Sequence, residues 1–541
     1  MIFSSTLPPI TLPDVNLVSF VLSQCAQTSS PTHPVFIDSS SGTTLTLSDV
    51  RQQTLRLAHG LHTQLGIGPG DTVVIYAANS IYYPLAVYAI IALGAVCSPA
   101  NPQYTARELA HQLQSSECKA VVAGEHMAGR VHEALELTGR TEQVPVLTMH
   151  TTDEEEEEGG RSIFSYMGAE EYVIPGDTSF RHTPAYLCYS SGTTGRPKGV
   201  LLTHGNMIAN AQQINAIKTR DTCTQRERFL GLAPFCHAYG LSYVLHSAVS
   251  LGGTVVVMAR YSFALFLQAV HRHRITYGYL VPPILSALAK DPLVDQYDLT
   301  SMTTVLSGGA TLSAKLIQAV QQRLPHMRVL QGYGMSEMSP AVTMLATSHD
   351  MPASIGVLMP SCEAKVLDVR SARPLGVGEP GELCFRGPNV MLGYLHDAQA
   401  TASLIDTDGF VHTGDIGHID EQGFFYISDR LKALIKYKGF QVAPAELEAM
   451  LAEHPDVEDA AVVAVYDDAQ ATELPRAHLV LRPGAGDKEQ RADAVVAWLN
   501  ARVAAYKRLR GGYVLAASIP RSPAGKIVRA SLNDMEHVAA A

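Results

Sequence analysis

Tyr189–Val200 reads YSSGTTGRPKGV and follows the apolar, strand-like Tyr186–Cys188. These twelve residues hold three glycines, four Ser or Thr hydroxyls and one lysine. Glycine lets the backbone approach an anion closely, and hydroxyls and backbone N–H groups donate to it. Ser190, Ser191, Gly192, Thr193, Thr194 and Gly195 therefore form a candidate phosphate loop, with Lys198 neutralising charge. A plain polar turn has no need of so many donors. The stretch departs from the GxxxxGK P-loop, which requires Ser or Thr after its lysine, because Gly199 stands there.

Outward from this loop, β-branched apolar runs alternate with helix-like segments. Thr72–Tyr76, Ala120–Ala123, Thr254–Met258 and Thr303–Leu306 read as strands; Ala106–Gln114 and Leu312–Arg323 read as helices. The apolar stretch Ile81–Ala100, interrupted by Pro84 and Gly94, reads as a buried helix followed by a strand rather than as a membrane span. The alternation predicts an α/β fold with largely parallel sheets. After Gly423 the character changes to a small α/β segment with a strand over Ala460–Val465 and a helix around Ala492–Ala504. We place a domain boundary at 429/430, giving a large domain of layered sheets and helices over 1–429 and a small α+β domain over 430–541. The acidic run Asp153–Glu158 reads as a solvated loop, since adjacent carboxylates repel and cannot all face one ion.

The chain has 541 residues, 46% apolar and 17% charged, with a formal net charge of −11. That length exceeds one ordinary domain, and the net charge argues against broad attraction to nucleic acid or anionic membrane. The start, MIFSSTLPPI, lacks a basic segment leading into an apolar run, so no secretory leader is expected. The eight cysteines form no CxxC pair or Cys/His cluster, which suits a reducing compartment without structural zinc. The ending VAAA is not a peroxisomal signal, and a cytoplasmic location is expected.

Further motifs follow the loop in order: LLTHGN (Leu201–Asn206), PFCHAYG (Pro234–Gly240), SGGA (Ser307–Ala310), QGYGMSE (Gln331–Glu337), GEPGELCFRGPNVMLGY (Gly378–Tyr394), TGDIG (Thr413–Gly417), DRLKALIKYKGFQVAPAELE (Asp429–Glu448) and IPRSPAGKIVR (Ile519–Arg529). With them the chain resembles the adenylate-forming superfamily of acyl-CoA synthetases, luciferases and adenylation domains, and within it the 4-coumarate–CoA ligase-like group. The resemblance runs from about Thr46 to Leu532.

What the resemblance implies is residue by residue. Gly309, Ala310, Gln331, Gly332 and Tyr333 would border the adenosine, with Ser336 donating to the α-phosphate. Asp415 would accept both ribose hydroxyls, with Arg430 reaching the same sugar. Glu337 would be the Mg²⁺ ligand, a hard oxygen for a hard ion. His237, alone more often a packed core residue, would gate the acyl pocket. That pocket would be lined by Tyr239, Tyr243, Leu306, Gly309, Gly334, Pro340, Ala341 and Met344. Lys432 would be the hinge of a mobile small domain. Lys436 and Gln441 would serve adenylate formation, Lys438 and Gly439 the CoA tunnel, and Arg260 the CoA nucleotide. Lys526 would bridge substrate carboxylate and α-phosphate. Most of Gly378–Tyr394 would only shape the domain.

The implied activity joins a carboxylic acid to coenzyme A at the expense of ATP, through an acyl-adenylate. Its partners would be ATP, Mg²⁺, CoA and an aromatic or medium-chain acid, in a monomer or homodimer. Bringing two anions together calls for positive charge and fixed donors rather than an acyl-enzyme. Three alternatives differ in what they need. Loading a carrier protein would not require the Lys438–Gly439 tunnel. A non-catalytic nucleotide-binding module would not keep Lys526, Glu337 and Asp415 together. Light-emitting oxidation on the same scaffold would be a third.

Overall fold

The computed structural model describes residues 1–149, 160–176, 178–190, 197–218, 227–309, 312, 314–430, 434–484, 487–520, 527, 529 and 532, with backbone alone at 428–430 and 445. Asp153–Glu158 and residues Ser191–Gly195, Ala310, Lys432 and Lys526 lie outside the described residues.

The chain is a mixed α/β protein with a large N-terminal domain built on two sheets and a small C-terminal domain. One sheet has 14 strands among the described residues and the other has 8. In the first, Pro34–Asp38, Thr254–Val257, Arg228–Gly231, Tyr277–Leu280, Thr304–Ser307 and Arg328–Gly334 lie parallel, side by side. From Arg328–Gly334 outward every pairing is antiparallel, through Ala341–Met344, Gly356–Leu358 and on to Glu363–Leu367. The expectation of largely parallel sheets therefore holds for only part of this sheet. Beyond Gly334 the strands mostly double back through short connections, the seven-residue helix Ala398–Leu404 being too short for the crossover that parallel pairing requires.

In the second sheet Val96–Ala100, Thr72–Tyr76, Ala120–Ala123 and Val146–Thr148 are parallel, and Pro184–Ser190 pairs antiparallel with Lys198–Thr203 across the phosphate loop. Helix Tyr83–Ala92 is buried at every position. Such all-round apolarity marks a helix packed on all sides, here within the core that links the two sheets. Helix Leu47–Leu65 is fixed at both ends, by a capping box between Thr46 and Asp49 and by Gly66 in the left-handed region at φ 63°.

The small domain carries the hairpin Ile435–Tyr437/Phe440–Val442, a three-stranded sheet of Val457–Asp467, Thr472–Leu481 and Tyr513–Leu515, and the helices Pro444–Ala452 and Lys488–Asn500. The last helix begins four residues before its expected start. The Asp487 carboxylate caps it by accepting from the Glu489 and Gln490 N–H groups, a signal that reading apolar spacing alone passes over. Among the described residues no helix is long and apolar enough to cross a membrane. The seven described cysteines are free and buried.

Candidate active site

A cleft of about 920 Å³, its open mouth included, lies where the parallel strands Thr304–Ser307 and Arg328–Gly334 end. The carboxyl ends of parallel strands are where open α/β sheets bind ligands, because neighbouring connections diverge there. The hairpin over 435–442 stands across this opening and contributes Lys436, Gly439, Phe440 and Gln441 to its walls. A Cβ placed on Gly309 would come 3.8 Å from the Gly439 carbonyl oxygen. Gly439 has φ 87°, and a Cβ there would stand 2.8 Å from Val281 Cγ1, so only glycine fits this bend without a shift.

The residues anticipated to take the acyl group combine aromatic rings with small side chains. Tyr239 and Tyr243 meet edge-to-face at 4.9 Å between centroids, with Tyr279 packed behind at 5.9 and 5.2 Å. The Tyr239 hydroxyl donates to the Leu306 carbonyl at 3.0 Å, which pins its ring against the strand end. Gly309, Gly332, Gly334, Pro340 and Ala341 line the same cleft. The wall on which Tyr239 and Tyr243 sit continues into the buried π-helix Gly240–Ala248. His237 also lines the cleft, and its ring lies 5.6 Å from Phe440 of the small domain. Its Nε2 is buried and makes no hydrogen bond among the described residues. Burial lowers its pKa to about 4, so the ring is neutral at pH 7.

Among the residues anticipated to meet the nucleotide, Tyr333 donates its hydroxyl to Asp415 Oδ2 at 2.6 Å. Asp415 is 9% exposed and is held by its neighbours. The Gly414 N–H donates to Glu382 Oε1 at 2.9 Å, and Glu382 Oε2 lies 3.0 Å from His412 Nδ1. Arg430 pairs with Asp415 across the strands Val411–Ile419 and Phe424–Arg430, although its side chain is not described. Glu337 is buried; its Oε1 accepts from Ser190 Oγ at 3.2 Å and from Tyr394 Oη at 2.8 Å. Lys198 lies 3.6 Å from Asp397 and over the Tyr394 ring.

The structure thus gathers Ser190, His237, Tyr239, Tyr243, Leu306, Gly309, Gly332, Tyr333, Gly334, Ser336, Pro340, Ala341, Lys436, Gly439 and Gln441 around one cleft. Besides Lys198, Glu337, Asp415 and Arg430, placed above, Gln331, Met344, Arg260 and Lys438 do not line this cleft. Gln331 is buried and its amide donates to the Pro352 carbonyl at 2.7 Å, tying down a neighbouring loop. Met344 is 1% exposed on the strand Ala341–Met344, and Arg260 is exposed just beyond Thr254–Val257. Lys438 is exposed at φ 48°, its N–H donating to Thr472 Oγ1 at 2.7 Å, so it shapes the bend that presents Gly439. Conversely, Tyr104, Phe440 and Tyr506 line the cleft without having been anticipated. Phe440 was within reach of sequence reasoning, since it lies between Gly439 and Gln441; Tyr104 and Tyr506 belong to no motif quoted above.

Comparison with known proteins bears on the family and the fold. The family model described as AMP-binding enzyme matches residues 23–395, and that described as AMP-binding enzyme C-terminal domain matches residues 446–526. The 4-coumarate–CoA ligase 1 of Solanum tuberosum is 37% identical over 540 residues, covering 98% of this chain and 96% of that protein. The solved structure of an amide bond synthetase from Marinactinospora thermotolerans superposes with a TM-score of 0.81 at 27% identity, covering 96% of this chain and 99% of that one. An o-succinylbenzoate CoA synthetase variant from Bacillus subtilis, bound with a product analogue, gives 0.79 at 27% identity, covering 96% of this chain and 98% of that one.

Proposed function

This chain belongs to the AMP-binding enzyme family, and from that premise we propose that it ligates an aromatic acid of cinnamate or benzoate type, or a medium-chain acid, to coenzyme A. The enzyme is an AMP-forming acid–CoA ligase that uses ATP; loading of a carrier protein is not favoured. The observation that supports the choice of acid is the lining of the cleft, which combines the rings of Tyr239 and Tyr243 with Gly309, Gly332, Gly334 and Ala341. A flat apolar acyl group suits a cleft lined by aromatic rings and small residues.

In the first half-reaction a carboxylate oxygen attacks the α-phosphorus of ATP. The bond to pyrophosphate breaks and an acyl-adenylate forms. Two anions must be held in line, so the site supplies charge and donors. Lys198 and the loop over 190–195 hold the phosphates, Ser336 donates to the α-phosphate, and Asp415 with Arg430 holds the ribose. Lys526, outside the described residues, bridges carboxylate and α-phosphate. The buried Glu337 suits Mg²⁺: among the described residues its side-chain hydrogen bonds fall on Oε1, which leaves Oε2 for the cation. Bound there, Mg²⁺ would neutralise phosphate charge.

In the second half-reaction the CoA thiol attacks the acyl carbonyl, AMP departs with the bonding pair, and the thiol proton passes to solvent. His237 lies at the junction of acyl pocket and hairpin, where a neutral ring can orient the carbonyl. The docking of Gly439 and Phe440 across the cleft supports reading this arrangement as the one for thioester formation, with the small domain turning about Lys432 between steps. A cytoplasmic monomer or homodimer goes with this reading.

The test is pyrophosphate release over a panel of carboxylic acids, with and without CoA. We expect turnover with planar aromatic acids and CoA consumption equal to pyrophosphate formed. No release with any acid would refute ligase activity; release without CoA consumption would refute the acceptor alone.

A further inference from the structure

Tyr394 ends the GELCFRGPNVMLGY run that sequence reading assigned mainly to shaping the domain. It sits in the short strand Gly393–Tyr394, opposite Val200 on the strand that carries Lys198, and the next N–H, of Leu395, donates to the Gly199 carbonyl at 2.8 Å. Its backbone is thus tied to the strand leaving the phosphate loop. Its own N–H donates to Thr401 Oγ1 at 2.9 Å.

The side chain reaches two functional groups at once. The hydroxyl donates to Glu337 Oε1 at 2.8 Å, on the same oxygen that accepts from Ser190 at 3.2 Å. The ring face lies 5.1 Å from Lys198 Nζ, within the range of a cation–π contact. Among the described residues both of these donors engage Oε1 and neither engages Oε2, which restrains the carboxylate. A buried carboxylate free to rotate would have to be ordered by the incoming cation, at the expense of affinity.

We infer that Tyr394 is a positioning residue for the nucleotide–cation site, its hydroxyl presenting Glu337 Oε2 to the metal while its ring holds Lys198 beside the phosphates. The inference rests on the proposed roles of Glu337 and Lys198.

The experiment compares wild type with Tyr394→Phe, Tyr394→Leu and Glu337→Gln. Manganese(II) affinity is read by electron paramagnetic resonance in the presence of an α,β-methylene analogue of ATP, and analogue affinity is read separately without metal. Thermal unfolding confirms that each variant is folded. Tyr394→Phe keeps the ring and removes one hydrogen bond to a charged acceptor, so manganese affinity should fall about tenfold, with metal-free analogue affinity within about twofold of wild type. In turnover, the apparent KM for Mg²⁺ should rise more than kcat falls. Tyr394→Leu should also weaken metal-free analogue binding, because Lys198 loses its ring. Wild-type manganese affinity in Tyr394→Phe, alongside a loss in Glu337→Gln, would overturn the role of Tyr394 and leave that of Glu337 standing. Wild-type affinity in Glu337→Gln would instead overturn the reading of Glu337 as the cation's carboxylate.

Discussion

Lys507 Nζ lies 2.8 Å from Glu108 Oε1, an ion pair that crosses from the small domain to helix Ala106–Ser115 of the large one. Glu446 Oε1 accepts from the same ammonium at 2.7 Å, and the lysine side chain is 1% exposed. The two carboxylates raise the lysine pKa against the desolvation that would lower it. Glu108 Oε2 meanwhile accepts from Thr105 N–H and Oγ, closing the capping box of its helix. One carboxylate thus ends a helix and fastens the small domain over the cleft.

Glu108→Gln separates these roles, because glutamine still serves in a capping box. The helix should persist while the interdomain tie weakens. We expect the CoA-dependent step to slow about tenfold, as for loss of a buried charged hydrogen bond, with CoA-independent pyrophosphate release within about twofold of wild type. Single-turnover measurement of each half-reaction checks this. Equal losses in both would contradict a latch specific to the docked arrangement.

Gly439→Ala probes the same seam from the cleft side. The added methyl would stand 2.8 Å from Val281 Cγ1 at a φ of 87°, so the hairpin cannot dock without moving. Thioester formation from supplied acyl-adenylate should fall about tenfold to a hundredfold, the scale of a misplacement near 1 Å. Thermal unfolding of the whole chain should change little, since Gly439 lies on an interdomain surface rather than in a core. An unchanged second half-reaction would refute the assignment of this bend to the thiol's path.

Why the seam escaped sequence reading is clear from these residues. Glu108 and Lys507 are 399 positions apart, and neither lies in a segment whose composition announces a site. Buried parallel strands such as Thr72–Tyr76 and Ala120–Ala123 were legible because both faces are covered and the run is unbroken β-branched or small residues. The antiparallel part was not, because strands as short as Gly356–Leu358, or Glu363–Leu367 with only five residues, offer too few positions for a period to stand out. Glu337 and Asp415 were legible through local motifs. Tyr394, Tyr506 and the second layer at Tyr279 were not, since their significance comes from what faces them across the fold.

Two buried histidines set a pH dependence of stability. His204 and His246 are both 0% exposed. Desolvation lowers their pKa values to about 4 and about 3, with His204 adding repulsion at His246. An unfolded chain titrates these rings near 6.5, so below that pH it binds protons the folded chain refuses. Their contribution to stability is therefore complete above about pH 6.5 and is lost as pH falls towards 4, by up to about 1 kcal/mol per pH unit for each ring. His204 Nδ1 accepts from the Leu17 N–H at 3.0 Å, a role asparagine can take over. His204→Asn should flatten the fall of Tm between pH 6.5 and 5; an undiminished slope would mean that other groups carry it.

The last prediction concerns which acids enter. Tyr243 is 3% exposed, with its hydroxyl 3.6 Å from where a Cβ on Gly332 would stand, so it closes the pocket opposite a glycine. Its ring rests on Tyr239 at 4.9 Å and Tyr279 at 5.2 Å, and truncation therefore opens space and removes support together. Tyr243→Ala should lower stability by about 3–5 kcal/mol, the usual result of deleting a buried aromatic ring. It should also shift kcat/KM about tenfold towards acids with an additional ring substituent, since one methylene-sized change of fit is worth about 1–3 kcal/mol. Tyr243→Phe, which keeps the ring, should leave the preference within about twofold of wild type while changing the response to a polar substituent. A panel of benzoates and cinnamates differing by one substituent supplies the ratios. Loss of stability with no change in those ratios would place Tyr243 in the packing of the cleft and not in its selectivity.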